Sequence, residues 1–190
     1  MDIKAIKNNL KEVNKKFAEI CSATNRAADS EIRANLKPGE AVPQLRYDTW
    51  PDTIRANFAQ EVRKLRDKAL ATLDAAIAEA QEMHAEAPSS DAVNAVAMLR
   101  DMDNVTESDV NAMLSVYGDN YLSYVAIRGI AEKHKIYGIE PHLLGDLEEG
   151  LSTLRRLYER DLSPYNAGAS AAHSFTQALM DTTVDANLPG

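Results

Sequence analysis

Apolar residues recur at the start of the chain with the rhythm of a helix seam. Ile3, Ile6, Leu10, Val13, Phe17 and Ile20 are separated by 3, 4, 3, 4 and 3 residues. Steps of three and four put all of them on one narrow stripe of an α-helix, whereas a strand would need period two. The spacing predicts a first helix from Asp2 to near Arg26. Its seam suits another helix, supplied by a partner chain or by the second helix of the same chain.

The rhythm stops at "KPGEAVPQLRYDTWPD", residues 37–52, where Pro38, Pro43 and Pro51 interrupt helical continuity and Pro38-Gly39 signals a turn. Leu45, Tyr47 and Trp50 are unusual for a linker, so the segment reads as an extended connector that inserts its aromatics into a helical groove. A second helix is predicted from Pro51 to about Glu86, with proline at the first position and Asp52 facing the positive helix start. Ile54, Phe58, Val62, Leu65, Ala69, Leu73, Ala76, Ala80 and Met83 mark its apolar side. Such a helix approaches about 50 Å, and its alanine-rich stripe permits close approach of a neighbour.

"APSS" at 87–90 marks a boundary, followed by shorter helices over roughly 90–101, 106–117, 119–136, 141–162 and 166–181. Gly118 and Gly138 sit at helix C-cap positions. Leu143, Leu144, Leu147, Leu151, Leu154 and Leu157 give the penultimate helix a broad apolar face. The expected fold is all-α: a long N-terminal helical hairpin or coiled-coil-like pair (1–87, with its connector at 37–52), a C-terminal bundle of about five shorter helices (88–182), and a flexible tail (183–190).

Composition sharpens this picture only in part. Aromatics make up 6% of the 190 residues while alanine is common, which suits close-packed helices better than a β-sandwich. The lone Cys21 excludes an intramolecular disulfide, and no apolar run reaches signal-peptide or membrane-spanning length. A cytoplasmic location without membrane attachment is the resulting expectation. Charge is unevenly spread. Residues 1–68 hold 14 Lys+Arg against 10 Asp+Glu, and residues 69–190 hold 7 against 19, a basic front and an acidic back.

Candidate chemistry is sparse. "RDMDNVTESDVNAML" (100–114) has a calcium-loop look, but counting from Asp101 puts Val105 at a ligand position, Thr106 where glycine is needed and Ala112 where a bidentate carboxylate belongs. Thr106 and Asp109 instead match a capping box, so the stretch reads as a helix start. None of His84, His134, His142 and His173 follows a glutamate by three residues, and no H-x-x-x-H exists, which removes local di-iron and zinc patterns. Cys21 reads as a packed thiol, and Glu79, Glu82 and Glu86 as a solvated helix face. No phosphate-binding or nucleophile motif is present. The chain is therefore expected to be non-enzymatic, with no catalytic residues, cofactor or metal.

Two functional readings remain. The first is a structural or assembly protein acting through helix-mediated self-association or binding of a helical partner, with Ile3, Ile6, Leu10, Val13, Phe17 and Ile20 as the seam. Viral and phage accessory proteins share this simple helical make-up, an analogy of style alone. The alternative is a nucleic-acid-associated or regulatory helical module using the basic stripe Lys4, Lys7, Lys11 and Lys15 together with "RKLRDK" (63–68). Glu12, Glu19, Glu61 and Asp67 dilute that charge, and the helix after Gly118 offers no cation before Arg128 to grip a phosphate.

Overall fold

A computed structural model describes residues 1–164 and 173–188, the side chains of 173–176 excepted, and no strand occurs among them. The protein is all-α. The helices are α1 (Ile3–Asn35), α2 (Asp52–Ala85), α3 (Ser90–Asp101), α4 (Glu107–Tyr117), α5 (Tyr121–Lys133), α6 (Leu143–Asp161) and α7 (His173–Asn187). A short 3-10 turn, Tyr47–Thr49, lies in the connector before α2. Residues 166–172 of the helix expected over 166–181 lie outside the described residues.

α1 starts where Asp2 accepts a hydrogen bond from the Ala5 N–H at 2.9 Å, a side-chain cap for one orphan donor. It continues well past Arg26. Asp29 and Arg33 pair at 2.8 Å one turn apart, and the helix stops only at Leu36, just before Pro38. The second helix keeps its expected bounds within a residue. In the connector, Trp50 is buried and packs edge-on against Phe58 at 5.1 Å and Tyr47 at 5.7 Å.

Two compact units emerge, and they divide the chain differently from the sequence-based boundary at 87/88. One comprises Met1–Ala76 with Glu149–Gly190, the other Ile77–Glu148. In the first unit, the α1 seam is closed by the chain itself. Leu10 and Val13 are 0% and 1% exposed, Ile6 and Phe17 are buried, and Ile3 and Ile20 are half-buried. α1 packs against α7, and Tyr158 of α6 reaches α1 with its hydroxyl. The heptad is thus a core stripe rather than a face left open for a second chain. The expected tail is also part of this core: α7 runs to Asn187, with Val184 and Leu188 buried.

A polar network crosses this core. Tyr158 donates to Asn14 Oδ1 at 2.7 Å, and Asn14 Nδ2 donates to Asp181 at 2.7 Å. Asn14 and Tyr158 are both fully buried, and burial pushes the phenol pKa upward, so the hydroxyl keeps its proton. Tyr158→Phe leaves the Asn14 oxygen without its donor and is expected to lower stability by about 1–3 kcal/mol, read from urea unfolding. An unchanged midpoint would show that the hydroxyl contributes nothing.

The second unit, Ile77–Glu148, has its own core. Leu99, Val105, Val110, Ile127, Ile130 and Ala131 form it, with Val96, Met113, Leu114, Tyr117, Ile136 and Ile139 packed against it. These residues come from α3, the α3–α4 connection, α4, α5 and the segment after α5. α4 begins at the capping box expected from sequence: Thr106 N–H donates to Asp109 at 2.9 Å, and Asp109 N–H donates to Thr106 Oγ1 at 3.3 Å. The Thr106 hydroxyl and N–H hold the Asp109 carboxyl below its ordinary pKa.

Candidate functional site

The calcium reading of 100–114 ends at that cap, because Asp109 is committed to Thr106. No group of three His, Cys, Asp or Glu suited to a metal ion occurs among the described residues. Cys21 is fully buried, and burial pushes its thiol up to about 12, which suppresses the nucleophilic thiolate at neutral pH. Glu79, Glu82 and Glu86 are exposed.

The basic stripe is divided. Lys7 and Lys11 both turn to Asp185 of α7, at 3.7 and 2.7 Å, and Lys15 stands 4.0 Å from Glu19, while Lys4 is exposed. Lys11 and Lys7 hold the Asp185 carboxyl below its ordinary pKa. The stripe therefore has an internal role in joining α1 to α7, and presents less cationic surface than its sequence suggests.

The unusual surface is on α5. One side, with Tyr124, Ile127, Ile130 and Ala131, is buried. The opposite side carries Leu122, Val125, Ala126 and Gly129 at i, i+3, i+4 and i+7, all exposed; Leu122 and Val125 are 43% and 47% exposed. The first charged residue of the helix is Arg128. A helix apolar on both sides normally lies inside a protein. Here one side faces out.

Beside this face, α5 and the first turn of α6 enclose a cleft of ≈ 350 Å³, with Val125, Arg128, Gly129, Glu132, Gly145 and Asp146 among its lining residues. A chain of rings braces the wall. His84 Nδ1 lies 3.1 Å from Glu148 Oε2, and Nε2 lies 3.0 Å from the Leu144 carbonyl oxygen. The His84 ring packs 4.4 Å from Tyr121, which meets His142 at 5.4 Å, and His142 meets Tyr124 at 5.0 Å. Tyr124 donates its hydroxyl proton to the Glu140 carbonyl at 2.7 Å. The Gln81 amide, and after it His84, hold Glu148 below its ordinary pKa, so it stays an acceptor. Two of the histidines noted in the sequence therefore set the position of α6 beside α5.

The unit as a whole combines exposed apolar side chains with negative charge. Eight of the ten large apolar residues left exposed among the described residues lie in it: Val93, Met98, Met102, Val116, Leu122, Val125, Tyr137 and Leu143. Ile77–Glu148 holds four Lys+Arg against thirteen Asp+Glu, a net charge of −9. Compared with protein-family models, curated proteins and solved structures, the chain gives no match. Function is accordingly read from the fold and its surface. No helix among the described residues is long and apolar enough to cross a membrane.

Proposed function

We propose that the protein is a non-enzymatic assembly or adaptor protein that binds another helical protein through the Ile77–Glu148 unit. The observation that supports this most is the apolar outer side of α5, Leu122, Val125, Ala126 and Gly129, left in solvent on a helix whose other side already fills a core. Clustered apolar exposure of this kind marks association surfaces, whereas scattered single residues do not. Association belongs here rather than to the N-terminal seam, whose side chains are enclosed by the chain's own helices.

The test is a panel of amphipathic helical peptides of cationic, neutral and anionic character, titrated into the full chain beside light scattering of the protein alone. Binding to any of them, or concentration-dependent self-association, is expected to fall at least about tenfold in Leu122→Ser/Val125→Ser. Both residues are exposed, so the melting temperature should stay within the small range of surface substitutions. A monomer at high micromolar concentration that binds none of the panel would overturn the reading.

A further inference from the structure

We infer that the cleft between α5 and the start of α6 receives a cationic amphipathic helix from a different protein, an inference resting on the association role proposed above. The occupant is chosen by charge. Glu132 and Asp146 line the cleft, and Arg128, the lining cation among the described residues, pairs with Glu132 at 3.0 Å. The surrounding unit carries −9. An apolar ridge framed by Lys or Arg would bury Val125 and its helix neighbour Leu122 while meeting acidic neighbours, the helix-in-groove mode of recognition.

A second copy of this chain fits poorly. Pairing like with like would bring two units of −9 together. Head-to-tail pairing would need a basic helix with an exposed apolar side, and the basic α1 has its apolar side buried. Outside this unit the large exposed apolar residues among the described ones are only Val42 and Leu179.

The floor of the cleft adds a second reason. Gly129 and Gly145 both lie in helices and both line it. Glycine is a weak helix former, and a bare helical backbone is where another backbone can approach closely. A Cβ at either position would meet nothing within 4 Å among the described residues, so none of them makes that approach. A partner helix crossing at those points would make it.

The glycines also provide the experiment. The full chain is titrated with two fluorescent peptides of about five helical turns, identical in their leucine stripe, one with lysine and one with glutamate on the polar side. The lysine peptide is expected to bind at least about tenfold more tightly, and to weaken with added salt. Gly129→Leu and Gly145→Leu should fill the cleft, retain or raise the melting temperature, and weaken the lysine peptide by about tenfold or more. Equal affinity for both peptides would overturn the cationic partner while leaving association through α5 intact. So would a concentration-dependent oligomer that Gly129→Leu dissociates, because the occupant would then be a second copy. Undiminished binding to both leucine variants would move the site away from the cleft. Absence of binding by either peptide, together with a clean monomer, would remove this inference and the proposed function together.

Discussion

Leu10→Asp is expected to unfold the larger unit rather than to divide an oligomer. Leu10 is 0% exposed, between Ile6 and Val13 on the buried side of α1. Truncating a buried leucine to alanine already costs about 2–5 kcal/mol. A carboxylate in its place adds the penalty of burying an unpaired charge. The sum reaches a large part of the roughly 5–15 kcal/mol that holds a typical domain together. Far-ultraviolet circular dichroism should show a large loss of helix at room temperature, because α1 and α7 depend on each other for burial. Retention of the wild-type spectrum and melting temperature, with only a smaller particle in solution, would restore the seam as an interchain contact.

Gly150→Ala is the second severe change, although it adds a single methyl group. Gly150 is a buried position of α6, and a Cβ there would overlap the carbonyl oxygen of Asn187 at the end of α7. The obstacle is backbone, which cannot rotate aside, and α7 is anchored nearby by Val184 and Leu188. Overpacking of this kind costs about 1–3 kcal/mol, against an intrinsic gain of up to about 1 kcal/mol from replacing a helical glycine. A lower midpoint in urea is expected. A midpoint equal to or above wild type would mean that α7 does not approach α6 as described.

Much of the fold could be read from spacing, because an amphipathic helix announces which of its sides is buried. It does not announce what covers that side. By spacing alone the six-residue stripe of α1 is equally fit for a partner chain; it is α7, and Tyr158 of α6, that lie beside it in the fold. The end of α7 resembles a tail in sequence because Val184 and Leu188 stand among threonine, aspartate and asparagine. Two apolar residues four apart are a weak pattern until tertiary packing supports them. The last turns of α1 are weakly marked for a similar reason. Past Arg26 its apolar side rests on Ala28 and Ile32 alone, and the Asp29–Arg33 pair shares the support.

The candidate site was written in the sequence but not distinctive there. "YLSYVAIRGIA" contains two interleaved helical stripes, Tyr124/Ile127/Ile130/Ala131 and Leu122/Val125/Ala126/Gly129. Which one packs inward follows from the neighbouring α3 and α4, whose positions no local pattern gives. The excess of apolar residues over what one buried side needs was the available signal. The cleft itself depends on α6 arriving beside α5, a long-range event fixed by His84, Tyr121 and His142.

The inert thiol of Cys21 has a practical corollary. A cysteine installed at an exposed site, Ser115 for example, becomes the sole fast-reacting sulfhydryl without removal of the native one. A maleimide dye can then be attached there in a single step. Trp50, the chain's lone indole, is at the same time an internal emitter in the other unit, so each half of the molecule can be followed by its own colour of light.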